Sequence, residues 1–498
     1  MTLSVAKRDL TEGFDVPPDE VRIGKDIIEL VTSGMYVFPV TIFREYVQNA
    51  VDAVEMARAQ RLIGSTEPGT VSIDIDHTYR SVVIRDNGCG IAASEAASTL
   101  VAVGASPKRG TGARGFRGVG RLSGLAYCRE LEFRTKAAGD PSVVSVVWDC
   151  KALRSRLADS TYGGDVRKII SECTTVRFEK SSDLGEHFFE VKMREVTRHR
   201  QDMLLNEKLI GHYLAQVAPV PFSEDFSYRT AIEEMLAEFL VYVPVNLTVL
   251  HQPIRRLYSD ETKVPGGPHR VTINEIEFLQ FADIDGKTGA VGWVGHHDYV
   301  RSLHPNLGIR GLRARIGDIQ VGESNLFDDC FREARFNGWS IGEIHILDDR
   351  IVPNGRRDNF ELNHHAYNLI TQIGPVAAQI AKRCRSASIS RNASLIVRNT
   401  IAEIERRLAD GTPLARIEVS KYRAAIQRCW QKLTAVSEAR WATLGPELSQ
   451  LEEQLETCSP TEEGSIVALD EAFALIAKYV TNREQARKLT DALRKIYG

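Results

Sequence analysis

At 498 residues the chain is too long for a single hydrophobic core, which predicts two to four domains. Its 43% apolar and 26% charged residues are those of an ordinary globular protein, and a formal charge of −3 gives no global reason to expect nucleic acid or an acidic membrane as partner. The opening MTLSVAKRDLTEGFDVPPDE lacks the apolar core of a signal peptide, and no run reaches membrane-spanning length. Eight scattered cysteines without a CxxC pair fit reduced thiols in a cytoplasm better than a disulfide framework or a zinc site.

In chain order, residues 22–59 predict two helices joined at SGMYVFPV, with Pro39 suited to a helix start. TVSIDIDH (70–77) and SVVIRD (81–86) read as adjacent strands, and a glycine-rich basic stretch occupies 104–124. Further strands are expected near 130–135, 143–149 and 175–179, and a charged helical piece near 192–217. Helix and strand mix without strict βαβ alternation, so the expectation is α+β, one sheet with helices on one face. Strands return between 220 and 362 in FLVYVPVNLTVL, AVGWVGHH, RARIGDIQVG and GEIHIL, predicting a second α+β domain. Beyond about 365 the signals are helical, as in LSQLEEQLE, where leucines recur three and four apart. The expected division is 1–200, 201–362 and a helical 363–498.

Three stretches carry chemistry. In FREYVQNAVDAV (43–54) the residues Glu45, Asn49 and Asp52 fall in one narrow stripe, opposite Phe43, Tyr46, Val47, Ala50 and Val54. Taken alone, that stripe reads first as the solvated polar side of an amphipathic helix. VVIRDNGCGI places Asp86 at a strand's end before Gly88 and Gly90. The Asn-Gly pair reads as a turn, and a carboxylate there can accept from an exocyclic amine while glycines admit a base close to the backbone. GASPKRGTGARGFRGVGRLSGL combines seven glycines with Lys108, Arg109, Arg114, Arg117 and Arg121 and no acid. Such a loop leading into a helix suits a polyphosphate, although no Walker GK[ST] is present.

Taken in order, with CTTVRF following, these pieces resemble the GHKL ATPases, which include the gyrase B subunit, MutL, histidine kinases and the ninety-kilodalton heat-shock chaperones. IFREYVQNAVDA and the preceding IGKDIIELVTSGMY look like the chaperones' own versions. The resemblance implies a GHKL sandwich that binds ATP with Mg²⁺. Glu45 would be the general base that activates water, and Asn49 the metal ligand. Asp52 would lie toward the base and ribose, and Asp86 would take the adenine amine. Gly88 and Gly90 would line the base, and Thr174 would support Asp86 through a water. Lys108, Gly115, Gly118, Val119 and Gly120 would belong to a lid over the phosphates. Cys173 stands where the family often has glycine, and GFRG resembles the MutL lid as much as the chaperones'.

RFNGWSIGEIHILDDRIVPNGRRDNFE (335–361) resembles the chaperones' middle domain, where an Asn-x-x-Arg-acid segment delivers an arginine to the γ-phosphate. That implies Arg357, with Arg356 second. The resemblance spans roughly 20–362 and implies an ATP-hydrolysing homodimeric clamp acting on protein clients. The competing expectation is a MORC- or MutL-like clamp on DNA in genome maintenance or antiviral defence. A histidine kinase is not expected, since no phospho-accepting helix precedes residue 20.

Overall fold

The computed structural model describes residues 24–25, 28, 38–104, 118–162, 165–265, 270–434, 438–457, 472–474, 476–477, 480 and 482–497. The expected opening helix, Lys108 and Gly115 lie outside these residues, the helix except for Gly24, Lys25 and Ile28.

Helix α1 (Thr41–Ala59) starts after Pro39, and the Thr41 hydroxyl donates to the Phe38 carbonyl at 2.7 Å in the turn that leads into it. Its apolar face (Phe43, Tyr46, Val47, Ala50, Val54) is buried, as the sequence stripe predicts. Strands β1 (Thr70–Asp76) and β2 (Ser81–Asp86) form an antiparallel hairpin with Ile73 opposite Ile84, and their alternation puts Val71, Ile73, Val82 and Ile84 in the core. There follow α2 (Ala93–Val101), β3 (Glu130–Lys136), β4 (Ser142–Asp149), α3 (Cys150–Ala158), α4 (Val166–Cys173), β5 (Thr174–Lys180) and β6 (Phe188–Arg194). The expected helical piece at 192–217 is therefore partly strand. FFEVKMR alternates Val191 and Met193 inward with Glu190, Lys192 and Arg194 outward, and two apolar residues are too few to outweigh the helical look of the charges.

Helices α5 (Glu207–Val217) and α6 (Arg229–Ala237) precede β7 (Asn246–Val249) and β8 (Gln252–Pro253). FLVYVP, expected as strand, stays irregular, because Pro244 removes a ladder donor and Val241 is exposed. The first sheet runs β5-β4-β3-β6-β2-β1-β7-β8, with β7 parallel to β1 in the register Thr70↔Asn246 to Ile73↔Val249. The sheet thus draws strands from beyond residue 200. Ile210, Leu214, Val217, Val245 and Leu247 share one core with α1.

A two-stranded ribbon, β9 (Glu261–Lys263) with β10 (Arg270–Thr272), leads to β11 (Glu275–Ala282), β12 (Thr288–His296), β13 (Gly311–Ile316), β14 (Ile319–Val321) and β15 (Ile341–Ile346). The second sheet runs β11-β12-β15-β13-β14 over a core of Phe222, Phe226, Tyr258, Trp293 and Ile341. The described residues beyond 363 are mainly helical: α7 (His364–Ala409), α8 (Arg416–Leu433), α9 (Glu438–Thr457) and α10 (Arg483–Tyr497). Val397, Ile404, Ile426, Leu448 and Leu455 make a separate apolar core. The chain divides into two compact units, residues 1–378 and 379–498. Among the described residues no helix is long and apolar enough to cross a membrane.

Candidate active site

The stripe of α1 is not a solvated face. Asp52 is buried, Asn49 half-buried, and the Glu45 side chain only 12% exposed. The Arg44 guanidinium donates to Glu45 Oε1 from Nη2 at 3.2 Å and from Nε at 3.4 Å. One turn along the helix, the buried Gln48 Oε1 has no hydrogen-bond partner among the described residues.

The Asp86 turn docks on the same helix. Gly88 N donates to Asp86 Oδ1 at 2.8 Å, and Cys89 N donates to the Ala53 carbonyl of α1 at 3.1 Å. A Cβ on Gly88 would lie 2.5 Å from the Ala53 Cβ, so only glycine allows this approach. Gly90 has φ +65°, and a Cβ there would lie 1.9 Å from the Lys136 carbonyl oxygen. The turn is thereby clamped between α1 and β3, with Ile91 N donating to Thr135 Oγ1 at 2.8 Å.

Residues 38–166 match the family described as histidine kinase-, DNA gyrase B-, and HSP90-like ATPases. This segment lies in a GHKL-type ATPase domain. A chaperone protein HtpG from Mycolicibacterium vanbaalenii is 23% identical over 205 residues, which cover 36% of this chain and 31% of the relative. The match therefore spans about a third of that protein's length.

Within the GHKL domain, the described end of the expected lid closes on the base of α1. Gly118 has φ +72° and Val119 opens a 3₁₀ turn, Gly120–Ala126. Gly120 lies against Glu45, where a Cβ would come within 2.6 Å of Oε2. Gly124 N donates to the Tyr46 hydroxyl at 2.9 Å, fixing that turn under the helix. Arg121 Nη2 donates to the Ala102 carbonyl at 2.7 Å, tying the two stems of the glycine-rich stretch together, and burial pushes its guanidinium down to about 10.

The second sheet reaches the same place. Arg44 Nη2 also donates to the Arg356 carbonyl at 3.1 Å, so the segment Asn354–Asp358 lies against α1. Arg357 is buried and has φ +56°, in a loop closed by the Pro353↔Phe360 bridge and by Asn354 Nδ2 donating to Asp358 Oδ1 at 2.6 Å.

Thr174 is not brought to Asp86, which corrects the expectation for it. It begins the edge strand β5, with β4, β3 and β6 between it and β2, and its hydroxyl donates to the Ile170 carbonyl at 2.7 Å. The strand that does pair with β2 is β6, in the register Asp86↔Phe189. Just before β6, His187 places Nδ1 2.9 Å from the Gly88 carbonyl. The sequence reading missed it because GEHFFE offers no glycine-threonine pair. Its signal was topological, the neighbour of the Asp86 strand.

Proposed function

We propose that this chain is an ATP-hydrolysing, ATP-gated homodimeric clamp of the heat-shock chaperone type, acting on protein clients. The observation that carries the reading is that Glu45, the Asp86 turn, Gly120 and the Arg356–Arg357 loop all meet around one helix, α1. Asp86 accepts from the adenine amine, Gly88 and Gly90 leave room for the base, and Asp52 lies toward base and ribose. Glu45 is the general base that takes a proton from water, and Arg357 offsets charge developing on the γ-phosphate. Lys108 and Gly115 complete, with Gly118, Val119 and Gly120, a loop that covers the phosphates.

Among the described residues no three His, Cys, Asp or Glu side chains could hold a metal by themselves. Mg²⁺ that arrives with a nucleotide needs little more than one protein oxygen, and half-buried Asn49, one turn from Glu45, fits that demand. When bound, the ion neutralises phosphate charge. The likeness to HtpG supports the client reading, and exposed Leu489 on the amphipathic α10 supports pairing through the helical unit.

Calorimetric titration of ATP with Mg²⁺ tests the site. Asp86→Asn, which turns a donor toward the adenine amine, should abolish binding, and wild-type affinity in that variant would remove the adenine assignment. Light scattering of the full chain, with and without a non-hydrolysable ATP analogue, tests the clamp. A monomer under both conditions would end it.

A further inference from the structure

We propose that Gln320 is a positioning residue for Arg357, oriented by the buried Arg313; the inference rests on the reading in which Arg357 serves the γ-phosphate. Strand β13 carries Arg313 and Arg315 on one face, and their partners differ. Arg315 Nε is paired with Glu343 at 2.7 Å. Arg313, only 3% exposed, has no carboxylate within ion-pair distance among the described residues. Its Nη1 donates to Gln320 Oε1 at 2.8 Å and to Gln216 Oε1 at 3.2 Å. A buried guanidinium solvated by two amide oxygens is a costly arrangement, so its geometry is held tightly.

That geometry fixes the orientation of Gln320. With Oε1 committed to a cation, its amide nitrogen must face an acceptor, and Nε2 donates to the Gly322 carbonyl at 2.9 Å. Gly322 N then donates to the Arg357 carbonyl at 2.8 Å. Gly322 has φ +68°, and a Cβ there would lie 3.0 Å from the Asp358 carbonyl oxygen, so the two loops are in close contact. Arg357 itself sits in the left-handed region, a conformation that persists only when its surroundings impose it. The other end of the chain is Gln216 on α5, a helix whose Ile210, Leu214 and Val217 share a core with α1. Four side-chain and backbone bonds thus register the arginine loop to α5, which shares its core with the helix that carries Glu45.

Gln320→Glu tests this. It keeps an oxygen facing Arg313 and gives that cation a carboxylate, while removing the donor to Gly322. The melting temperature should equal or exceed wild type. The kcat for ATP should fall at least about tenfold toward the value of Arg357→Ala, with KM changed less than about twofold. The double variant should be no slower than Arg357→Ala. Gln320→Met, which removes both bonds, should lower kcat at least as far. Slow turnover in Arg357→Ala with wild-type kcat in both Gln320 variants overturns the positioning role and leaves Arg357 standing. Wild-type kcat in Arg357→Ala overturns the role of that arginine and, with it, this inference.

Discussion

The second sheet and helix α1 hold their carboxylates in opposite ways. In the second, Arg256 donates from Nη2 to both oxygens of Asp318 at 2.6 Å and from Nη1 to Glu343, whose other oxygen accepts from Arg315 and, at 3.1 Å, from the Tyr258 hydroxyl. Burial alone would push the Glu343 carboxyl up, but Arg256 and Arg315 overrule it and hold it well below the ordinary carboxylate range. On α1, Glu45 meets one arginine through one oxygen, and Gln48 Oε1 meets nothing described. A cluster saturated by its own chain serves the fold. The cluster with spare lone pairs is the one to which the proposed function assigns the nucleotide.

The largest expected effect separates the two clusters. Glu45→Ala should lower ATP turnover by about two to four orders of magnitude, the range for a lost general base, while calorimetry shows ATP binding unchanged. Normal phosphate release would return the stripe to a structural role. Glu343→Gln should do the reverse. It leaves two buried guanidinium groups short of a charge and should cost roughly 3–5 kcal/mol of unfolding free energy, with turnover per folded molecule intact. The sign with pH follows from the depressed carboxyl. Its contribution is complete above the unfolded-state pKa and is lost as pH falls through the lower folded value, so urea unfolding of the variant should show a shallower loss in acid than wild type.

The same contrast explains what could be read from the sequence. The turn at Asp86, Gly88 and Gly90 was legible because a strand followed by a turn motif is local chemistry, and α1 was legible from its period. Thr174 was misplaced because CTTVRF is a good strand but strand order is not written locally. β5 falls at the sheet edge, while β6, which pairs with β2, looked like part of a charged helix. The parallel β1–β7 pair was invisible for the same reason: it joins residues more than 170 apart in sequence. Arg357 was approached through resemblance alone. Its support by Gln320 depends on a glutamine whose meaning exists only beside Arg313.

Two glycines sharpen the comparison within the GHKL domain itself. In Gly90→Ala the added Cβ meets backbone, the Lys136 carbonyl at 1.9 Å, and the residue has φ +65°. Backbone cannot yield cheaply, so thermal stability and ATP affinity should fall together, by at least about 1–3 kcal/mol of strain. In Gly120→Ala the Cβ meets the far end of a side chain, Glu45 Oε2 at 2.6 Å. That carboxylate can swing aside, so the melting temperature should hold within a few degrees while kcat drops about tenfold to a hundredfold through a misplaced base. A wild-type kcat in Gly120→Ala would mean that the contact of Gly120 with Glu45 has no catalytic consequence.

The smallest effect belongs to His187. The Gly88 carbonyl can only accept, so Nδ1 carries the proton and the ring braces the turn whose next bond, Gly88 N to Asp86 Oδ1, fixes the carboxylate. Removing one such bond from a half-buried site is worth about 0.5–1.5 kcal/mol. His187→Ala should therefore weaken ATP binding about threefold to tenfold and leave kcat at saturation unchanged, because Glu45 and the Arg357 loop are untouched. His187→Asn, whose amide can donate to the same carbonyl, should recover most of the affinity. Calorimetric titrations of both variants decide the matter: an alanine variant with wild-type affinity would mean that the Asp86 turn is held by α1 and β3 alone.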